Sequence, residues 1–223
     1  TCSAARGPAR AGPLSEHQIH SPHRETPSGH LGIIGSPPFV LDVRLSGTAL
    51  AAGIPVMRYQ QWLGQVRLVR AMPNTPSLVG LGVTGLFPSG CSNYEKAFVD
   101  HMFSGTGLNV WLDNEAQINH VIAVTGSSPA YFFFFMQAMQ QVAEQLGFDA
   151  AQAKQMVAQT ALGAATMALD SDHSFADLRA QVTSKGGTTH EAVTTFANQG
   201  LEKMVSDAMY AAIKRAQEMA QSL

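Results

Sequence analysis

The sequence is poor in charge and poorer still in cysteine. Only 13% of its 223 residues are Asp, Glu, Lys or Arg, against 45% hydrophobic. Much of the folded surface must therefore be covered by something other than salt-forming side chains. Low charge density of this kind suits an oligomer, and Ala-rich helices lower it too. The net charge of −2 gives no electrostatic reason to bind nucleic acid or anionic lipid. Two cysteines, Cys2 and Cys91, cannot make a disulfide framework and neither has a CxxC partner, so a reducing, cytoplasmic setting is expected. Long apolar runs are missing as well. The longest, Tyr131 to Met136, falls far below the ~20 residues that cross a bilayer. No secretory signal is read at the start of the chain, and no membrane partner is expected.

What is there divides the chain in two. Residues 1–48 hold six of the eleven prolines and four of the eight histidines; with only two short apolar stretches, Leu31–Ile34 and Phe39–Val43, they read as largely irregular. His17, His20 and His23 are spaced three apart, but Pro22 interrupts any helix that would carry them. No metal site is expected there. From about residue 49 the pattern becomes regular. Val66–Met72, Gly82–Phe87 and Leu108–Leu112 read as strands, and Ser92 with Glu95 makes a capping box for a helix to about Phe103. Strand, helix, strand is the tail of an α/β sheet.

After Asp113 the pattern is helical. Glu115–Val124 is an amphipathic stretch broken at Gly126-Ser127-Ser128-Pro129, and Pro129 then opens a helix that stops at Gly147. Asp149 caps a helix to about Leu169, and Ser174 caps a shorter one to about Val182. Thr188 and Glu191 form another capping box, and a final helix covers Leu201–Gln221. The Tyr131–Met136 run is apolar all round and predicts a helix buried on every side. The small residues of Ala161–Ala165 allow close helix approach. A segment of this length cannot enclose such a helix alone, so a homodimer or a larger homo-oligomer is expected.

Three segments could carry chemistry. In Thr183-Ser184-Lys185-Gly186-Gly187-Thr188-Thr189-His190-Glu191, two glycines turn the chain at a helix start, where open N–H groups and hydroxyls suit a carboxylate. The same residues would also serve as a plain Gly-rich loop. Met72-Pro73-Asn74-Thr75-Pro76 lies at the C-terminal end of a strand, the edge where open α/β sheets collect ligands. Val124-Thr125-Gly126-Ser127-Ser128-Pro129-Ala130-Tyr131 permits close backbone approach, to a ligand or to another helix. It lacks the second glycine of a hydrolase elbow. His120 and His190 are acid–base candidates by position, although a lone helical His is more often structural.

Taken in order, Arg70–Pro76, Gly126–Tyr131 and Thr183–Ala192 resemble the pyrroline-5-carboxylate reductases, with Ala51–Pro55 and Trp62–Gly64 adding to the match from about Ala49 onward. The resemblance implies an α/β then all-α fold. Residues 49–113 would be an incomplete Rossmann-like sheet domain, and residues 114–223 a helical dimerisation and substrate-binding domain. It implies an oxidoreductase of proline biosynthesis that reduces 1-pyrroline-5-carboxylate to L-proline with NADPH or NADH. It also implies that Ser184, Gly186, Gly187, Thr188 and Thr189 bind the substrate, with Thr189 the catalytic residue at the ring nitrogen. Met72, Pro73, Asn74, Glu115 and Gln181 would lie at the cofactor. The family's Gly-x-Gly phosphate loop and its Val-Lys-Pro segment have no counterpart in residues 1–48, as a truncated or frame-shifted reading would produce. The alternative is a catalytically inactive helical dimer acting as a binding module.

Overall fold

The computed structural model describes residues 46–49 and 54–221, all within one compact unit, Pro38–Leu223. The three spaced histidines, the Leu31–Ile34 and Phe39–Val43 stretches and Ala51–Gly53 lie outside the described residues. Among the described residues the first regular element is β1, Ser46–Ala49.

Four strands form one sheet in the order β1, β2 (Arg67–Met72), β3 (Gly82–Ser89) and β4 (Gly107–Trp111). β1 runs parallel to β2, β2 antiparallel to β3, and β3 parallel to β4. Side chains alternate across a strand, and β2 uses both faces. Leu68 packs with Ala49 and with Val56 and Tyr59 of helix α1 (Val56–Leu63). Val69 and Ala71 point the other way, to Leu86 and to Val99 of helix α2 (Asn93–Phe103). The capping box of Ser92 and Glu95 starts α2 as expected.

Pro88 does not end β3. It lies inside the strand, opposite Val69 of β2. The pairing with β4 stops at Leu86, so at Pro88 the strand has a neighbour on one side only and can tolerate a missing N–H.

The helical part comprises α3 (Gln117–Val121), α4 (Ser128–Gln145), α5 (Ala150–Leu169), α6 (Phe175–Gln181), α7 (Thr188–Asn198) and α8 (Leu201–Gln221). Asp149 caps α5 through Gln152 N, and Ser174 caps α6 in a box with Asp177. Both follow the sequence. Two expectations are corrected. Between α3 and α4 the chain does not break at Gly126–Pro129: a π-helical turn, Ile122–Gly126, carries it forward, and Ser127 keeps right-handed helical angles. Thr188 does not cap α7. It is the first helical residue, and Gly187 holds the cap position without a side-chain bond.

The Tyr131–Met136 run is not enclosed by its own chain. Phe132, Phe133 and Phe134 are 67%, 65% and 75% exposed. The helix expected to be buried on every side is left open here.

Candidate active site

The Gly-Gly turn is built as its residue types demand. Gly186 takes φ 71°, a left-handed angle that costs other residues strain. Gly187 N–H donates to Ser184 O at 3.0 Å, closing the turn. A methyl group at Gly187 would come within 2.5 Å of Ser184 Oγ, so the hydroxyl occupies the space that a side chain would need. The helix begins immediately afterwards. The N–H groups of Thr188, Thr189 and His190 have no preceding helical carbonyl to bond, and no side chain caps the helix. The structure thus brings Ser184, Gly186, Gly187, Thr188 and Thr189 together around one set of donors, with the Thr188 and Thr189 side chains exposed. Gln181 is the last residue of α6 and lines a cleft of about 590 Å³ with Leu162, Gly163, Thr166, Asp170 and Leu178.

The other expected site residues form a second group. Asn74 uses both ends of its carboxamide: Nδ2 donates to Thr125 O at 2.9 Å, and Oδ1 accepts from Val83 N–H at 2.8 Å. Met72 Cε lies 3.3 Å from where a side chain on Gly126 would begin. The Met72–Pro76 and Gly126–Pro129 motifs, some fifty residues apart, therefore meet at one joint. Ser128 Oγ donates to Ala123 O and Val124 O, and Thr125 Oγ1 donates to Val121 O. The hydroxyl residues of the second motif thus serve the carbonyls of the π-helical turn.

Glu115 is held by the protein itself. Its Oε1 accepts from Val56 N–H at 2.7 Å and from Arg70 Nη1 at 2.8 Å. Pro55 at the cap of α1 makes no side-chain bond, so the carboxylate of Glu115 caps that helix from elsewhere in the chain. Arg70, whose side chain is only 6% exposed, was not singled out by its chemistry in the sequence. Its Nη2 is buried with no hydrogen-bond partner among the described residues. Among the described residues no hydrogen bond or ion pair joins the Gly186–Thr189 turn to the Met72–Asn74 loop. His120 and His190 are both exposed.

The fit of a dinucleotide phosphate to the start of a helix after a strand can be examined at α1, which follows β1. Its first N–H, Val56, is already bonded to a carboxylate, and a second anion there would meet like charge. Among the described residues no Gly-x-Gly turn follows a strand and opens a helix. The start of α1 does not fit a pyrophosphate. Burial first, then the nearby Glu95 carboxylate, pushes the Cys91 thiol pKa up.

A partial α/β sheet, helices that leave their apolar faces open, and a Gly-Gly turn with unpaired N–H groups before α7 define a two-part scaffold of sheet and helices. Comparison with known proteins makes this specific. Residues 115–219 match the family model described as pyrroline-5-carboxylate reductase dimerisation. The chain is 46% identical to a pyrroline-5-carboxylate reductase of Pseudomonas aeruginosa over 78% of this chain and 65% of that one. To the reductase of Vibrio alginolyticus it is 47% identical, over 77% and 64%. The solved reductase of Coxiella burnetii superposes with a TM-score of 0.77 at 39% identity, over 81% of this chain and 68% of that one. The chain belongs to the pyrroline-5-carboxylate reductase family, and it spans about two-thirds of the length of these relatives.

Proposed function

We propose that this chain carries the substrate-binding and dimer-forming part of an NADPH- or NADH-dependent reductase that converts 1-pyrroline-5-carboxylate to L-proline, the last step of proline biosynthesis, in the cytoplasm. The observation that carries this reading is the turn before α7, where glycine geometry and an uncapped helix start leave N–H groups open to a carboxylate. In this reading Ser184, Gly186, Gly187 and Thr188 hold the substrate carboxylate, and the Thr189 hydroxyl meets the ring nitrogen. Reduction of a C=N bond needs a hydride at carbon and a proton on nitrogen. A cyclic imine can arrive protonated, so a neutral threonine and a carboxylate anchor are enough, and positioning is the main effect. Residues 49–113 would be the remnant of the cofactor domain, with Met72, Pro73 and Gln181 on the cofactor side and Glu115 bracing Arg70. Residues 114–223 would form the dimer.

A second reading has support of its own. Glu115 occupies the first N–H of α1 and no Gly-x-Gly phosphate turn stands among the described residues, which favours a helical dimer that binds the small acid without reducing it. One titration separates the two. L-Proline is added to the purified chain while backbone amide signals of residues 184–190 are followed, and NADPH absorbance is then monitored with pyrroline-5-carboxylate present. Binding with NADPH oxidation supports the reductase, and binding alone supports the inactive dimer. No response from the turn overturns both.

A further inference from the structure

We propose that Asn74 is a positioning residue: its carboxamide replaces the N–H that Pro129 lacks, and so fastens the Met72–Pro73 loop to the π-helical turn.

In a helix the carbonyl of Thr125 would accept from residue 129, four positions on. Residue 129 is proline and has no N–H. A π-helical turn would use residue 130 instead, five positions on. The Ala130 N–H is already bonded to Ser127 O at 3.0 Å. Thr125 O is thus left without its two helical donors in a half-buried place, where an unmet carbonyl is costly. Asn74 Nδ2 reaches it at 2.9 Å from the other side of the joint. The orientation of the amide is not ambiguous. Its oxygen faces an N–H, that of Val83, and its nitrogen faces a carbonyl, so a flipped amide would oppose like groups at both ends.

The consequence concerns the whole loop. Asn74 immediately follows Met72 and Pro73, and Met72 rests on Gly126 of the same turn. One side chain therefore ties β2, the start of β3 and the entry to α4 together. Each end of its carboxamide makes one of these bonds, so the joint fixes where the side chain sits. The two sequence motifs are chemically coupled: a proline in one creates the acceptor that the asparagine of the other satisfies.

A double-mutant cycle on the full chain tests this. Asn74→Asp keeps the acceptor for Val83 N–H and sets an oxygen against Thr125 O. It should lower the folding equilibrium constant roughly 10–100-fold in urea titrations, as expected for an unmet or opposed buried group. Pro129→Ala supplies a backbone N–H along the helical path to Thr125 O. In that background the same substitution should cost roughly threefold or less. Equal costs in both backgrounds would overturn the proposal. If Asn74→Asp does not fold, Asn74→Ala enters the same cycle, with the same rescue expected for the Thr125 part of its loss. The positioning claim has its own readout, which rests on the reductase reading. NADPH binding, followed by nicotinamide fluorescence, should weaken in Asn74→Asp and recover in the double variant. Loss without recovery, while the folding cycle shows coupling, would mean direct contact and sink the positioning role. A wild-type chain that binds no NADPH counts against the reductase reading alone, and the folding cycle then decides the joint.

Discussion

At the scale of single residues, the pair Arg70 and Glu115 bears most on how the sheet edge is held. A guanidinium only 6% exposed sits 2.8 Å from a carboxylate that is 29% exposed. The same carboxylate oxygen takes the first N–H of α1. Removing one partner of a buried pair leaves the other charge stranded, which typically costs about 3–5 kcal/mol, and the partial exposure of Glu115 moves the cost to the low end. Glu115→Gln keeps the acceptor for Val56 N–H and removes only the charge. It should destabilise the chain by about 2–3 kcal/mol in urea unfolding. A change within about 0.5 kcal/mol, the range of an ordinary surface substitution, would show that the pair is not a brace. The sequence suggested a different task for Glu115, a place at the cofactor. That expectation rests on the family resemblance, and local sequence around Glu115 carries no information about an arginine forty-five residues upstream. The partners of Asn74 are likewise invisible from its own motif. Its local setting, two prolines in a turn after a strand, is that of many ligand loops, and its partners Val83 and Thr125 are supplied by the fold. One clue was legible but unused: Pro129 stands four residues after Thr125, and that spacing alone marks a carbonyl in need of an outside donor.

Elements were legible where their signals are local. The caps at Ser92, Asp149 and Ser174 depend on a side chain and an N–H two or three residues away, and all three stand as read. The start of α7 went differently. Thr188 and Glu191 have the spacing of a capping box, but the bond from Gly187 N–H to Ser184 O places the cap one residue earlier. Thr188 is already helical and cannot cap. This turn makes a prediction for the element as a whole. Gly186 needs its left-handed angle, so Gly186→Ala should destabilise by about 1 kcal/mol through backbone strain. Its larger effect should be on the donors that the turn aims outward, so L-proline affinity should fall by more than the stability loss accounts for. Thermal unfolding and calorimetric titration of the same variant measure the two effects. If affinity is unchanged, the turn is a plain connection and not an anion cradle. The π-helical turn was beyond local reading altogether. Nothing within Ile122–Gly126 encodes it, since the joint with Asn74 lies some fifty residues away.

For the molecule as a whole, the open question is what covers the helices. Phe132, Phe133 and Phe134 stand 65–75% exposed on α4, with Leu162 at 53% on α5 and Met204 at 55% on α8. Burying side chains of this size is worth about 1.5–3 kcal/mol each, and a lone chain forgoes most of it. By length and mean hydropathy alone, the helical stretch Gln117–Gln145 could also cross a membrane, and only 6% of its apolar window is buried within the chain. Its place inside a region that matches a reductase dimerisation model, residues 115–219, favours a second copy as the cover. Low charge and an all-round apolar helix pointed to the same arrangement from the sequence. Sedimentation equilibrium in aqueous buffer should therefore give a mass twice the 23.7 kDa of the chain, with no detergent needed. Phe133→Asp would set a charge in the middle of the shared surface, where an unpaired ion costs several kcal/mol. It should weaken self-association by at least ~100-fold and leave the urea unfolding of the sheet portion, followed at Trp111, nearly unchanged. A monomer with these phenylalanines exposed would refute the dimer, and partition into neutral lipid vesicles in preference to dimerisation would assign the α4 surface to a bilayer instead.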